Sequence, residues 1–273
     1  MQKFNYHCHT SFKGIFDGRN TIDEMISGAE AKELTTVGIS NHFVCHPSFA
    51  SLPPASLMFF SDDALLISLF QECFAAIDEV AARHKIKVLK GLEVDFFPSS
   101  RWRKMFEKAV KILQPDYLIG ATHFIRNVDE SFLCNIYHLE RLPSLISAED
   151  KKELLRNYWQ NVRLSAESGY FDFLAHPDYC CQFDLCTGEE WEETKMQVVE
   201  ALASSHTACE INTGGLRRIG RPYPDWWLVK EMIDKKIPLL ISDDAHFVKD
   251  IAFGFAEVEN KLTEFNCRKR FSF

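Results

Sequence analysis

Six histidines and three acids follow short apolar segments spread over the whole chain, and their side chains have the chemistry of metal ligands. They are His7, His9, Asp17, His42, Glu93, His123, His176, Asp244 and His246. Imidazole nitrogens and carboxylate oxygens without a thiolate suit Zn²⁺, Mn²⁺ or Fe²⁺, and the order of metal affinities does not choose among these ions. One polar residue after a buried strand is ordinary, but the same placement repeated this often converges only if the strands are parallel neighbours. The pattern therefore predicts a metal-binding pocket at one rim of a parallel barrel.

Two pairs of these residues share an i, i+2 spacing. Residues 4–10 alternate as a strand does, which puts His7 and His9 on one face. Asp244 and His246 repeat the spacing after the apolar run 237–242. A single His-x-His pair is equally well explained by two hydrogen-bonded histidines on a half-buried strand. The second pair, at an independent strand end, favours metal binding.

Strands and helices alternate along the sequence as they do in parallel α/β folds. Seven strands are predicted near residues 4–9, 37–40, 88–92, 117–122, 171–175, 208–211 and 237–242. One helix is predicted from the capping box of Thr21 and Glu24 towards Leu34, and others over 63–84, 101–113 and 148–168, the last ending at Gly169. Residues 124–147 are predicted to be irregular and are a candidate lid, because they exceed the usual length of such a connection.

Length and composition predict one catalytic domain over residues 1–273. Barrels of roughly 250 residues are ordinary single domains, and 46% hydrophobic residues with 23 phenylalanines provide a large core. A net charge of −8 argues against nucleic acid or an anionic membrane as the main partner, but allows a small anionic substrate held by local cations or metals. The sequence leaves the oligomeric state open.

The compartment is predicted to be the cytoplasm. The sequence starts directly with the first strand, and no apolar run reaches the roughly 18 residues of a membrane span. Nine scattered cysteines suit reduced thiols better than a disulfide framework.

Seven motifs, in order along nearly the whole chain, carry a family resemblance. They are His7-x-His9-Thr10, Ser40-Asn41-His42, Gly91-Leu92-Glu93, Ala121-Thr122-His123-Phe124, Leu174-Ala175-His176-Pro177-Asp178, Glu210-Ile211-Asn212-Thr213-Gly214-Gly215-Leu216-Arg217 and Ser242-Asp243-Asp244-Ala245-His246. Together they resemble the polymerase and histidinol phosphatase (PHP) family, and within it the histidinol-phosphatase type. The set is far more specific than any one of its motifs.

The resemblance implies a distorted (β/α)7 TIM-like barrel whose trinuclear metal centre hydrolyses a phosphate monoester. The implied substrate is L-histidinol phosphate, cleaved to histidinol and phosphate in histidine biosynthesis, and the implied catalytic residues are Glu93, Asp244 and His246. Glu93 would bridge two of the three metal ions. The implied ligand sets are His7, His9, Glu93 and Asp244 for one ion, Asp17, His42 and His246 for a second, and Glu93, His123 and His176 for the third.

The chain departs from the family pattern at two positions. Asn41 stands where the family usually has an acid before the histidine, which removes a negative group beside the ligands and bears on affinity or metal choice. Asp243 stands where a small residue is common, so two adjacent acids compete for one ligand position. The spacing to His246 favours Asp244 as the ligand.

Clustered divalent ions supply what phosphomonoester hydrolysis needs: a hydroxide at neutral pH, a clamp on the phosphoryl oxygens, and neutralisation of charge on the leaving oxygen. We therefore predict attack by a metal-bridging hydroxide, without a protein nucleophile. Arg217 is the predicted phosphate clamp, because a Gly-Gly turn brings the backbone close and a guanidinium binds phosphate bidentately. Further substrate contacts are expected from Asn212, and from Lys13, Arg19 or Arg126.

Three other functions remain open at this stage. A PHP-type phosphoesterase could act on another small ester, such as a nucleotide or sugar phosphate. An amidohydrolase would more naturally carry a carbamylated lysine, but Lys90 precedes Glu93 by three residues and so faces the other side of the strand. A non-catalytic metal-binding or regulatory module would be expected to lose ligands, whereas all nine are present.

Overall fold

The strands lie in the sheet in the order in which the chain forms them. The structure is a computed structural model that describes residues 1–51, 59–126, 133–136, 147–183 and 185–273. Its strands are β1 (Phe4–Cys8), β2 (Thr36–Ile39), β3 (His42–Phe43), β4 (Lys87–Asp95), β5 (Tyr117–Ala121), β6 (Phe124–Arg126), β7 (Leu133–Asn135), β8 (Phe173–Leu174), β9 (Ala208–Asn212) and β10 (Leu239–Ser242). The order β1-β2-β4-β5-β8-β9-β10 is parallel throughout, with β3 added alongside β4.

The sheet is nearly closed into a barrel between its first strand and the segment after its last. Cys8 and Ala245 form a parallel bridge. The amide of His9 donates to the carbonyl of Ala245 at 2.9 Å, and the amide of Ala245 donates to the carbonyl of His7 at 3.2 Å. The predicted seven-stranded (β/α) barrel is confirmed.

Helices cover the outside of the barrel. They are α1 (Ile22–Ala31), α2 (Asp63–Ala81), α3 (Ser100–Leu113), α4 (Ala148–Glu167), α5 (Glu192–Ser205), α6 (Gly214–Ile219), α7 (Trp226–Asp234) and α8 (Phe255–Glu264). The capping box of Thr21 and Glu24 starts α1, and Gly169, at φ +69°, follows the end of α4. Within the described residues, no helix combines the length and apolarity needed to cross a membrane.

Inside the barrel, alternate residues of each strand form a column that runs from the N-terminal end to the C-terminal rim. Large aromatic and aliphatic side chains fill the lower part, including Tyr6, Tyr117, Phe173 and Leu240. The Tyr117 side chain covers Gly38 and Gly91, where an added Cβ would lie 2.1 Å from its hydroxyl oxygen and 2.2 Å from a ring carbon, respectively. Nearer the C-terminal rim, the side chains in the same columns are polar. The strand period therefore delivers Glu93, His123 and Asp244 to the upper interior.

The predicted elements differ from the structure in four places. β4 continues to Asp95, so Glu93 lies within a strand and not after one, and β8 covers only 173–174. The prediction that 124–147 is irregular is wrong for β6 and β7, which pair antiparallel. Residues 127–132 and 137–146 of the candidate lid lie outside the described residues. The predicted Gly-Gly turn is the first turn of α6.

Candidate metal and active site

All nine predicted ligands converge at the C-terminal rim of the barrel. Each belongs to at least one of four groups whose ligand atoms lie within 4.8 Å of one another. The groups are His9–Asp17–His42–His246, His7–His176–Asp244, His7–His9–Glu93 and His42–Glu93–His123. Because the groups share members, they form one continuous cluster. Such buried clusters fit a site for several metal ions.

Glu93 is the centre of this cluster. Its Oε1 lies 3.1 Å from His176 Nε2, 3.3 Å from His7 Nε2 and 3.5 Å from His123 Nε2. Its Oε2 lies 2.7 Å from His42 Nδ1 and 3.5 Å from His9 Nε2. A carboxylate with imidazoles near both oxygens is compatible with the bridging role that the family resemblance implies, and that role stays a prediction.

Asp17 and Asp244 flank the cluster. His246 Nε2 lies 3.0 Å from Asp17 Oδ2, and His9 Nε2 lies 3.1 Å from Asp244 Oδ1. The His9 ring also lies 4.0 Å from Asp17, so His9 stands between the first and second implied ligand sets. The neighbouring acid, Asp243, faces away: it accepts hydrogen bonds from Asn5 Nδ2 at 2.7 Å and from the Ala252 amide at 2.6 Å.

Two of the ligands leave the regular alternation of their strands. Between Asn5 and Cys8 the register of β1 shifts against β2, so that Tyr6 and His7 both enter the interior; such shifts re-aim side chains near functional sites. After Phe173 and Ala175, His176 turns inward at φ +25°. Asp244, at φ +52°, is also in the left-handed region. These conformations are strained for non-glycine residues and need support from their surroundings.

Unpaired polar atoms give a direct test of whether metal ions fit. Within the described part of the chain, eight buried atoms of the cluster make no hydrogen bond of acceptable geometry: His7 Nε2, both ring nitrogens of His9, Asp17 Oδ1, His42 Nδ1, Glu93 Oε2, His176 Nδ1 and Asp244 Oδ1. An unpaired buried polar atom costs about 1–3 kcal/mol. Nitrogen and oxygen donors gathered in this way are the ligands that divalent cations would satisfy.

The protonation of the cluster depends on its burial and its mixed charges. Burial, followed by the neighbouring His246 and His42, lowers the pKa of His9 to about 4, which favours the neutral imidazole that binds metals. Although burial opposes ionisation of Glu93, the surrounding imidazoles hold its pKa well below the usual value. Burial also lowers the pKa of His7, but the carboxylates of Glu210 and Glu93 outweigh it and raise that pKa well above normal. Metal binding would therefore release protons.

Two acids that the motif reasoning missed lie behind the ligands. His7 Nδ1 is 2.8 Å from Glu210 Oε2, and His123 Nδ1 is 3.0 Å from Asp95 Oδ2. Such carboxylates orient ligand imidazoles and set their tautomer. Strand alternation could have found both, because Asp95 follows Glu93 by two residues and Glu210 precedes Asn212 by two.

Asn41 does not contact the predicted ligands through its side chain. Its Oδ1 accepts from the Thr10 amide at 2.7 Å, and its Nδ2 donates to Thr10 Oγ1 at 3.0 Å. The residue thus fixes the backbone that follows His9. The replacement of an acid by Asn41 acts on the position of this loop, and its effect on metal choice stays a prediction.

The cluster forms the floor of a cavity of about 480 Å³. Its lining includes three arginines, Arg19, Arg217 and Arg218, and aromatic side chains such as Phe124 and Tyr179. This volume suits a small molecule. Cationic walls above a metal-binding floor suit an anionic one.

Some of the residues predicted to contact the substrate line the cavity, and others do not. Arg217 lies 3.6 Å from Asp250, and its Nη1 is buried without a hydrogen-bond partner among the described residues. Arg218 Nη1 donates to the Tyr179 hydroxyl at 3.4 Å. Asn212 is absent from the described cavity lining, since its amide donates to Glu210 and its oxygen accepts from Gly214.

The remaining predicted contacts lie elsewhere. Lys13 pairs with Glu72, and Arg126 donates to Asn161 at 3.3 Å. Neither belongs to the described cavity lining, whereas Arg19 does. Lys90, the residue that an amidohydrolase would have needed, points out of the barrel and bonds Asp78 on α2 at 2.7 Å.

The fold and the site together define a class of protein. A family model of the PHP domain matches residues 5–214, and the chain belongs to this family of metal-dependent phosphoesterases. The histidinol-phosphatase of Bacillus subtilis is 24% identical over 274 residues, covering 93% of this chain and 97% of that protein. A probable histidinol-phosphatase of Deinococcus radiodurans is 25% identical over 197 residues, covering 71% and 70%.

A solved structure shows the same fold. The histidinol phosphate phosphatase of Lactococcus lactis, complexed with Zn, L-histidinol and phosphate, matches with a TM-score of 0.74. The match covers 100% of this chain and 97% of that one, at 19% identity. At that identity the similarity demonstrates the architecture alone.

Proposed function

We propose that this protein is a metal-dependent phosphomonoesterase that hydrolyses L-histidinol phosphate to L-histidinol and phosphate, a step of histidine biosynthesis, with residues 1–273 acting as one domain. The observation that carries the proposal is the cluster of nine ligand side chains at and beneath the floor of a cavity lined by arginines. The names of the relatives from Bacillus subtilis and Deinococcus radiodurans support the substrate. The reaction class rests on the family.

Three divalent ions, Zn²⁺, Mn²⁺ or Fe²⁺, are the proposed cofactors. The ligand sets implied by the family resemblance are compatible with the four groups of side chains, and Zn is the metal of the Lactococcus lactis structure. When bound, such ions lower the pKa of water and neutralise charge on phosphoryl and leaving oxygens. The protein's task is then to hold the ligands and orient the substrate.

The proposed catalytic residues Glu93, Asp244 and His246 differ in their exposure to the cavity. Asp244 and His246 line it, whereas Glu93 is buried beneath. The His246 ring lies with Nδ1 2.9 Å from the carbonyl oxygen of Asp244. Because that oxygen can only accept, a neutral His246 ring with its proton on Nδ1 would leave the lone pair of Nε2, which faces Asp17, for a metal.

Arg217 is the proposed phosphate clamp. Its buried Nη1 has no partner within the described residues, and Asp250 and the Phe253 ring, 5.0 Å from the guanidinium carbon, hold the group beside the cavity. A free guanidinium edge can bind two phosphoryl oxygens. Arg218 and Arg19 are the alternative clamps, and the aromatic wall would contact the leaving group.

A phosphate-release screen tests the proposal. Purified protein is reconstituted with Mn²⁺, Zn²⁺ or Fe²⁺ and given histidinol phosphate, sugar phosphates and nucleotides, with Glu93→Gln as the inactive control. We expect histidinol phosphate to have the highest kcat/KM. Preference for a nucleotide or sugar phosphate would instead support a PHP phosphoesterase of other specificity, and no release from any ester would overturn the phosphatase assignment.

A further inference from the structure

Glu210 lies in the middle of β9, fully buried beneath the ligand cluster. Its Oε2 accepts from His7 Nδ1 at 2.8 Å and from the Ser242 hydroxyl. Its Oε1 accepts from the His176 amide at 3.0 Å and from Asn212 Nδ2 at 2.8 Å. Four donors from β1, β9, β10 and the segment after β8 thus converge on one carboxylate, which uses its full capacity as an acceptor.

Two of these donors belong to the ligands that break strand alternation. His7 enters the interior through the register shift of β1, and His176 through a backbone at φ +25°. Within the described part of the chain, the Glu210 carboxylate bonds His7, His176, Asn212 and Ser242, and not the ligands that follow the alternation, such as His123 and Asp244. Glu210 therefore contacts the two places where the regular strand geometry would have turned a ligand away.

The two contacts act on different properties of the ligands. A carboxylate can only accept, so His7 must carry its proton on Nδ1, which leaves Nε2 to face Glu93 at 3.3 Å and Asp244 at 3.7 Å. At His176 the contact is to the backbone, and it supports the strained conformation that brings Nε2 to 3.1 Å from Glu93 Oε1. One side chain thus controls a tautomer and a backbone angle.

We propose that Glu210 is a positioning residue that holds His7 and His176 in register at the same carboxylate oxygen of Glu93, and that it thereby sets the spacing between the neighbouring metal sites that the two histidines would serve. The inference rests on the proposed metal centre but not on the identity of the substrate. Its distinctive consequence is that two metal sites are coupled. Loss of the Glu210 carboxylate weakens metal binding at the sites served by both histidines, although neither histidine is changed.

Metal retention in Glu210→Gln tests the proposal. The amide keeps the shape but offers one acceptor oxygen, so the donors of His7 and His176 cannot both be satisfied. We expect metal affinity, measured by competition with a graded series of chelators, to fall about 10- to 100-fold. Asp172→Asn is the matched control, because Asp172 accepts from the Leu118 amide at 2.8 Å beside β8, away from the ligands; it should retain its metals.

The outcomes are distinguishable from failure of the proposed function. If the parent protein binds no divalent metal, the metal centre itself is wrong. If the parent binds metal and Glu210→Gln, folded by circular dichroism, retains it as tightly, the positioning role is overturned. Should the variant not fold, nitrogen-15 NMR of the Zn²⁺-loaded parent decides: we expect His7 to coordinate through Nε2 with its proton on Nδ1, and coordination through Nδ1 would overturn the role.

Discussion

At the N-terminal end of the barrel the interior is filled by aromatic rings, whereas at the C-terminal rim the same strands carry histidines and acids. At the lower end Phe273 lies 4.9 Å from Tyr6 and 5.3 Å from Tyr117 between ring centroids, and the Tyr117 hydroxyl donates to the Tyr6 carbonyl at 2.6 Å. At the rim, eight buried polar atoms within the described residues have no hydrogen bond.

The difference indicates a division of labour along one set of strands: the lower end stabilises the fold, and the rim holds the predicted metal ligands. Apolar burial stabilises the lower end through area removed from water, while the unpaired rim atoms cost free energy until cations satisfy them. Changes at the rim should therefore alter metal content and activity, and should alter stability only through the metals that are lost. Changes at the lower end should do the reverse.

Removal of the metals is expected to have the largest effect. Stripping with a chelator should abolish phosphate release, and reconstitution should restore it with close to three divalent ions per chain by elemental analysis. Because ions bind the folded state, each site adds about 4 kcal/mol of stability at a free concentration a thousand times its Kd, so Tm should rise on reloading. A content that never exceeds one ion after reconstitution contradicts the trinuclear centre.

Glu93→Gln comes next. The amide removes a negative charge from a position within 3.5 Å of five imidazoles, so activity should fall at least about 10²-fold through loss of correctly placed electrostatics. Kinetics on metal-saturated protein measure this change, with elemental analysis on the same sample. Near-normal turnover in a metal-replete variant would refute the bridging role.

Arg217→Ala should have a smaller effect that leaves the metals in place. A charged hydrogen-bond partner contributes ~1.5–3 kcal/mol, so kcat/KM should fall roughly 10- to 200-fold and inorganic phosphate should inhibit more weakly. Arg217→Lys should recover only part, because lysine lacks the fork. Arg218→Ala is the matched comparison: if it shows the loss and Arg217→Ala does not, the clamp is the other arginine.

From the sequence, it could be predicted which residues lie at the C-terminal rim, but not how each of them is positioned there. An apolar run followed by a polar residue marks a strand end, and parallel strands bring their ends together, so His7, Glu93 and Asp244 could be assigned to one rim. The register shift at His7 depends on how β1 pairs with β2, which no local pattern contains. Strand alternation puts Glu210 on the same face as Asn212, but its donors His7, His176 and Ser242 lie far away in the sequence, so no local pattern predicts its contacts with the ligands.

Phe173→Leu tests the lower end and should have the smallest effect. Phe173 is fully buried, with its ring 6.3 Å from Tyr117 and 6.0 Å from Phe271 between centroids. A similar-sized apolar replacement usually costs less than about 1.5 kcal/mol, so denaturant unfolding should show a loss on the order of 1 kcal/mol. Metal content and kcat/KM should stay at the parent values.

The same replacement at Phe273, which is 44% exposed at the edge of this aromatic cluster, is the control and should cost less than Phe173→Leu. The comparison of the two barrel ends requires that Phe173→Leu change the unfolding free energy without changing the metal affinity. Phe173 lies in β8, which ends at Leu174, two residues before His176, so the backbone links the packing of Phe173 to the rim. A tenfold loss of metal affinity in Phe173→Leu with little change in unfolding free energy would show that the two ends are coupled, and the division of labour would then be wrong.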